Sequence, residues 1–403
     1  MAKIKNIGVL DVREIKEEVA EKITAIENIG IFIESDKSQI LLKDAKKANV
    51  GMTLKIPSDK NISLVMQNGN LEVDKEYLEG IDNQVAFLVN GELIFKNDID
   101  VNLLREKLFS ILVNGELICP KKLSGTIQTK STINGVLTVY SSDYTFVDGK
   151  IKLDNRFLKS MRKGSKLAIE KLLVLEPIDP KLLEERISNI EILGKLVILE
   201  NLEDEISQYI DNYYSVNKEV IPNIDREIQY IDKDVLIDNN FINKYNEAVL
   251  YVDGKVKVDL EENTDFGKYI KLLLCVGITC NKKTYDLIKD NIGENVDVEV
   301  LEGNILENTG HMVLTGTIKE KVTIRNVGKL DIDEKLDMES FINNVLEIRN
   351  YGLIVAAEDK LPIVKEKVKI NKGAISSAEE RKEKKIEESK EEVLYANMGE
   401  LKL

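Results

Sequence analysis

The chain has 403 residues, of which 43% are hydrophobic and 32% charged, and its formal net charge is −14. This composition is typical of a folded chain. The strongly negative net charge argues against nucleic acids and membrane surfaces as partners. Because Trp is absent and aromatic residues make up 5%, platforms on which bases or sugars could stack are scarce.

The first residues contain neither a long apolar segment nor a small-residue cleavage site, so they do not resemble a signal peptide. The longest apolar run covers residues 272–278, well short of the roughly 20 residues that cross a bilayer. Three cysteines cannot form a disulfide framework. We therefore predict a cytoplasmic protein without membrane insertion, and the abundance of Lys, Ile, Asn and Glu indicates a bacterial source.

One unit recurs along the chain: an Asp, two residues, a pair of bulky apolar residues, and then an apolar strand interrupted by Asn or Asp and Gly. Six copies place the Gly 15 to 19 residues after the Asp: Asp11 to Gly30, Asp74 to Gly91, Asp100 to Gly115, Asp179 to Gly194, Asp238 to Gly254 and Asp337 to Gly352. A fixed period of this kind is typical of repeat proteins.

Each Asp of the unit is predicted to cap a short helix, because its carboxylate accepts a hydrogen bond from an unpaired helix N–H. Pro180 directly follows Asp179, and its fixed φ suits the first position of a helix. The alternative, that these residues are metal ligands or acid–base groups, explains less well why each stands at the same place in its own unit.

The glycines occur in two spacings, Asn-Gly or Asp-Gly, as at Gly91, Gly115 and Gly254, and Asn-x-Gly, as at Gly30 and Gly352. Asn-Gly between alternating apolar residues, as in residues 86–95, is a strong hairpin signal. The same residues also suit a corner at which the chain turns to the next face of a solenoid. The corner is favoured because the two spacings align with each other, and a two-residue hairpin loop would need a bulge to absorb the extra residue.

These features predict an α/β repeat solenoid of strand, Asn/Gly turn and short helix in units of about 22–24 residues. The alternative is an α+β fold with tandem Asn-Gly β-hairpins and short helices. The period resembles that of leucine-rich repeats, and Ile26, Ile29, Ile31 and Ile33 are similar to the first apolar positions of that family's pattern.

A shorter element without a helix occurs twice, at residues 124–139 and 315–332. Its Gly-Thr-Ile start and following Thr-Ile pairs resemble turns of the β-helix found in bactofilins, which are bacterial polymer-forming proteins. The resemblance implies stacked strands and assembly between copies. The distance between the two elements predicts a duplication of half the chain.

Composition and motifs divide the chain into five predicted parts. They are an N-terminal repeat half at 1–154, a helix-richer middle segment at 155–242, a C-terminal repeat half at 243–375, a charged linker or helix at 376–392, and a terminal half-repeat strand at 393–403. The last part repeats the Asn-x-Gly pattern of the first strand. It is predicted to be disordered, to dock on its own chain, or to be donated to a neighbour.

No catalytic, cofactor-binding or metal-binding residue is predicted. His311 is the sole histidine, which argues against a histidine metal cluster or a histidine triad, and it is expected at a surface or strand edge. Cys119, Cys275 and Cys280 are expected to pack in apolar cores. Phosphate-binding, dinucleotide-binding and nucleophile-elbow motifs do not occur.

The sequence therefore favours a non-enzymatic structural or scaffold repeat protein that uses no cofactor. Its expected partner is another protein or a second copy of itself, met through the solenoid ends or the C-terminal strand. Two alternatives stay open: a module that recognises a protein or peptide, and a carbohydrate-active β-helix enzyme.

Overall fold

A computed structural model describes residues 2–223, 226–378 and 393–403. The chain forms two compact units, Met1–Ile224 with Glu392–Leu403 and Asp225–Glu391. Both consist mostly of parallel strands in several sheets joined by short helices, which confirms the predicted repetition of strand and helix. The predicted five-part division remains a prediction, and residues 379–392 of its charged linker lie outside the described residues.

Sheet A belongs to the first unit and contains both described ends of the chain. Its strands are β1 Ala2–Asp11, β2 Ile23–Glu34, β3 Lys46–Lys55 and β25 Val393–Lys402. Helices α1 Glu17–Ala20 and α2 Asp36–Leu41 connect the first three strands. The spatial order is β25-β1-β2-β3, so the last strand lies beside the first.

Sheet B follows in the first unit with spatial order equal to chain order. Its strands are β4 Ile62–Val73, β5 Gln84–Phe95, β6 Leu108–Pro120 and β7 Ser131–Tyr140. The connecting helices are α3 Lys75–Glu79, α4 Val101–Lys107 and α5 Lys121–Lys130, the last leading into β7. Because α5 includes residues 124–130, the prediction of an element without a helix at 124–139 is wrong. The pairing of β4 with β5 runs without interruption from Ile62 to Val73.

Sheet C completes the first unit. Its strands are β8 Thr145–Lys152, β9 Ser165–Val174, β10 Ile187–Leu199 and β11 Asn217–Ile221. Between them lie α6 Asn155–Ser160, α7 Pro180–Arg186, a 3₁₀ turn at Glu200–Leu202 and α8 Glu203–Ser207. Pro180 occupies the start of α7, as its fixed φ predicts.

Sheet D opens the second unit with five strands. They are β12 Ile228–Ile231, β13 Val235–Ile237, β14 Ala248–Val258, β15 Ile270–Asn281 and β16 Asp297–Leu301. The helices are α9 Asn239–Ile242, α10 Phe266–Tyr269, α11 Lys282–Ile288 and a 3₁₀ turn at Lys289–Asn291. Both β12 and β13 pair with β14.

Sheets E and F share the rest of the second unit, and the chain alternates between them. Sheet E contains β17 Asn304–Asn308, β19 Val322–Asn326, β21 Val345–Asn350 and β23 Val368–Asn371. Sheet F contains β18 His311–Leu314, β20 Lys329–Ile332, β22 Leu353–Ala356 and β24 Ala374–Ser377. Helices α12 Met338–Asn344 and α13 Leu361–Lys367 lead into β21 and β23.

The Asn-Gly pairs lie inside strands. Asn90 and Gly91 occupy the middle of β5, where they pair with Asn68 and Gly69 on one side and with Asn114 and Gly115 on the other. Every pairing between the described strands is parallel. The alternative fold with Asn-Gly hairpins is therefore wrong for this part of the chain. Glycine is needed at position 91 because φ is +146°.

Asparagine side chains form ladders across the strands. In sheet A, Asn28 donates through Nδ2 to Oδ1 of Asn6 and Asn49 donates to Asn28, each at 3.0 Å. In sheet E the same contact links the buried Asn308, Asn326 and Asn350 at 2.7 and 2.8 Å. Partners in the ladders are separated by 18 to 24 residues, a wider range than the predicted unit length.

The middle strands of sheet B bury side chains on both faces. Phe87 and Phe95 point into the core beneath the helices, whereas Leu88 packs with residues of sheet A and Ile94 with residues of sheet C. Parallel strands that are buried on both faces have nearly continuous apolar sequences. This explains why β5 is apolar on both sides of its Asn-Gly pair.

Five of the six Asp residues of the predicted unit cap helices through their side chains: Asp74, Asp100, Asp179, Asp238 and Asp337. The prediction is wrong for Asp11, which ends β1 and binds Arg13, with Nε and Nη2 at 3.0 and 2.8 Å from its carboxylate oxygens. Helix α1 begins after Lys16 and has no side-chain cap. The local pattern resembled a cap, but the Arg two residues later provides a stronger, charged partner.

We expect Asp100→Ala and Asp337→Ala each to lower the free energy of unfolding by about 1 kcal/mol, because each removes the side-chain acceptor of a helix N-terminus. Denaturant melts of the purified variants measure this. Asp82→Ala is the control, since Asp82 is exposed and caps no helix. Equal stability of all three variants and the parent chain would contradict the capping role.

Candidate functional site

The cysteines lie in apolar cores. Cys119 belongs to the core of sheet B, and Cys275 and Cys280 belong to the core of sheet D. Burial raises the pKa of the Cys119 thiol to about 12 and that of Cys280 to about 11. Because the thiolate is the reactive form, these two side chains act as small apolar groups and not as nucleophiles.

His311 begins β18, the edge strand of sheet F, and its side chain is 57% exposed. Its Nε2 lies 2.7 Å from Oδ2 of Asp331, which also contacts the ammonium group of Lys329. This is a surface ion network on neighbouring strands, at the kind of position expected from the sequence. A pair of this exposure contributes little to stability.

Three carboxylates that lie far apart in the sequence meet in the first unit. Oxygens of Glu92 on β5, Asp148 on β8 and Glu170 on β9 all lie within 4.8 Å of one another. The backbone N–H of Gly149 donates to Oε2 of Glu170 at 3.0 Å. The Glu92 carboxylate is less well stabilised in its charged form, because its Oε1 is shielded from solvent and has no hydrogen-bond partner among the described residues.

This arrangement favours the protonated form of Glu92. Desolvation first, and then the negative charges of Asp148, Glu170 and Glu116, raise its pKa to about 7. Desolvation also raises the pKa of Glu170, against the effect of its backbone hydrogen bond. Two charged carboxylates this close repel each other in a poorly solvated place, so a proton or a hard cation would relieve the repulsion.

This carboxylate cluster was not predicted from the sequence. A signal for half of it was present, since Asn-Gly-Glu occurs at residues 90–92 and 114–116, and parallel pairing in register places Glu92 beside Glu116. Nothing comparable connects Asp148 and Glu170 to these residues. Asp148 and Glu170 lie near Glu92 only because sheet C packs on the outer face of sheet B.

An open groove of about 630 Å³ lies in the second unit, between residues of β15, β16, β19 and β21. Two arginines line it, yet both are already paired. Arg349 donates to Oε1 of Glu347 at 2.6 Å and contacts Glu299, and Arg325 donates to Oε1 of Glu307 at 2.5 Å. Carboxylates therefore already offset the charge of both guanidinium groups in the groove.

The terminal strand β25 is docked on β1. The two strands pair in parallel from Lys3 to Asp11 of β1, and the N–H of Leu403 donates to the carbonyl of Asp11 at 2.9 Å. Asn6 donates to Oδ1 of Asn397 at 2.9 Å, which continues the asparagine ladder of sheet A. Leu401 is 8% exposed and belongs to the core of that sheet. The alternative of a disordered terminus is therefore wrong for these residues.

Comparisons with protein families, with curated proteins and with solved structures give no match for this chain. Among the described residues, no helix is long and apolar enough to cross a membrane. The features that bear on function are thus the carboxylate cluster and the docked terminal strand.

We expect Glu92→Gln to stabilise the first unit at pH 8 and to lose that advantage towards pH 4.5. The raised pKa means that the folded chain binds more protons than the unfolded chain between about 4.5 and about 7. The contribution of Glu92 to stability therefore falls as pH rises through this window, and a neutral amide removes the dependence.

Thermal melts of the parent chain and Glu92→Gln across pH 4.5–8 measure this difference. The control is Glu79→Gln, because Glu79 is exposed, lies 3.5 Å from the ammonium group of Lys75 and is not among the charges that raise the pKa of Glu92, so its loss should not stabilise the fold at pH 8. A parallel shift of both variants at every pH would contradict the role given to burial and repulsion.

Proposed function

We propose that the chain is a non-enzymatic scaffold protein, built as a repeat solenoid, that assembles with copies of itself through its terminal strand. The observation that carries this proposal is the docking of β25 on β1, at a sequence separation of 391 residues between Asn6 and Asn397. A structural element joined to its site only by non-covalent contacts can be exchanged between identical chains.

The docking site is an open sheet edge without β25. In β1, Ile4, Ile7 and Leu10 are buried in the core of sheet A, and β25 covers that core at its end. An uncovered edge exposes a row of backbone N–H and C=O groups and recruits another strand. In sheet A the edge of β1 is paired with a fourth strand, which the repeat-like sequence of residues 393–403 supplies.

Exchange between copies preserves every one of these contacts. The register, the Asn6–Asn397 hydrogen bond and the burial of Leu401 are the same whether β25 comes from its own chain or from a neighbour. Such exchange of identical elements is a low-energy route to oligomers. A scaffold that grows by strand donation needs no catalytic residue and no cofactor, in keeping with the residues that the sequence offers.

Deleting residues 393–403 is expected to shrink the assembly, because the strand through which copies join is lost. A lower melting temperature at constant size would mean that the strand only stabilises its own chain. Sedimentation and thermal melts of the intact and truncated chains, each over a range of protein concentrations, distinguish the two results. An intact chain that sediments as a single copy at every concentration would contradict assembly.

A matched pair of point variants separates docking from a general effect of the terminus. Leu401→Ala removes a side chain from the core of sheet A, whereas Met398→Ala changes a side chain of the same strand that is 40% exposed. We expect only Leu401→Ala to reproduce the direction of the deletion's effect, with a cost of about 2 kcal/mol, the low end for a core Leu→Ala change, because the side chain is 8% exposed. Equal effects of the two substitutions would mean that β25 is not held by its core contact.

A further inference from the structure

The two edges of sheet A are chemically complementary. Along the sheet, Asn49 donates to Asn28, Asn28 to Asn6, and Asn6 to Asn397. All four asparagines have φ between 53° and 58°, so they present the same backbone geometry. Among the described residues this leaves the Nδ2 donor of Asn397 at the β25 edge and the Oδ1 acceptor of Asn49 at the β3 edge.

The glycines of sheet A stack in one direction along the sheet, each facing the backbone carbonyl of the glycine on the neighbouring strand. A Cβ on Gly30 would lie 2.6 Å from the carbonyl oxygen of Gly8, a Cβ on Gly51 would lie 2.7 Å from that of Gly30, and Gly8 faces the carbonyl of Gly399 in the same way. Each strand thus fits closely against the one before it. A Cβ on Gly399 would meet nothing within 4 Å, and Gly399 is not among the glycines with positive φ.

Both edges are also accessible and mutually compatible. In the described part of the chain, β3 pairs only with β2 and β25 only with β1. Aligning Asn397 with Asn49 through the registers of the sheet sets Met398 against Val50 and Leu401 against Thr53. Glu400 then meets Met52, so that charged side chain faces no like charge.

We propose that the free edge of β25 pairs in parallel with the free edge of β3 in a second copy of this chain, so that the asparagine ladder and the glycine stack run on from copy to copy. This inference rests on the proposed scaffold function and names the partner surface. The two edges are different surfaces, so the contact is head-to-tail and does not close on itself by twofold symmetry. Four strands about 4.8 Å apart give a rise of about 19 Å per copy along the sheet.

Gly399→Ala tests the contact directly. In the isolated chain the added methyl group meets nothing, so the melting temperature should not change. In the assembly it would stand against the carbonyl of Gly51 of the next copy, as a Cβ on Gly30 stands against that of Gly8. We expect the protein concentration at half-assembly, measured by sedimentation, to rise by at least about tenfold, the effect of losing about 1.4 kcal/mol.

Three further variants make the result specific. Asn49→Gly keeps the positive φ, removes the acceptor at the opposite edge and should also weaken assembly. Gly125→Ala fills open space in α5, away from both edges, and should have no effect on assembly. Gly8→Ala places a methyl group against Gly399 and should release β25, lowering the melting temperature.

The outcomes separate this contact from the scaffold function itself. Assembly that survives Gly399→Ala but is lost in Gly8→Ala would overturn the edge contact and leave strand donation as the basis of the scaffold. A parent chain that never assembles would overturn both. The edge contact is supported if both Gly399→Ala and Asn49→Gly lose assembly while the melting temperature of Gly399→Ala stays that of the parent chain.

Discussion

The structure depends on keeping parallel strands in one register, and the stacked Asn and Gly positions provide that constraint. A slip of one residue would exchange the buried and exposed faces of a strand. In sheet A a Cβ on Gly30 would collide with the backbone of the neighbouring strand, so only glycine allows the close approach there. The asparagine ladder beside it forms its side-chain hydrogen bonds only when like residues face each other.

This constraint shapes the rest of each repeat. Because register is set within the strands, the connections can be short helices with one buried turn, started by an Asp cap, as in α4 after Asp100. Such helices are too short to be stable alone and depend on packing against the sheet. The same arrangement leaves each sheet with two edges, since parallel pairing does not close the sheet on itself. In sheet A the two edges are β3 and β25, the latter formed by residues 393–402.

The carboxylate cluster shows what tight strand packing can impose on side chains. Glu92 follows directly after the Gly of β5, so its position is set by the same register that stacks the glycines. Packing of sheet C then brings Asp148 and Glu170 within 4.8 Å and removes solvent from part of the Glu92 carboxylate. Because the pKa of Glu92 is raised to about 7, the protonation of the carboxylate cluster changes near neutral pH. The cluster lies in the same unit as the docked strand β25.

The sequence by itself determined the features that depend on neighbours along the chain. Local chemistry and spacing predict the Asp caps and the strand with its central Asn and Gly. They also predict the burial of Cys119 in an apolar core. The Asn-Gly pairs did not decide between a hairpin and a solenoid corner, because a glycine with positive φ suits both. Only the parallel pairing of strands about 20 residues apart excluded the hairpin among the described residues. The contact of Glu92 with Asp148 was decided by tertiary structure alone, because it depends on which sheets pack together. Residues 393–403 carry the Asn-x-Gly pattern of the first strand, but only tertiary structure decided that they dock on β1.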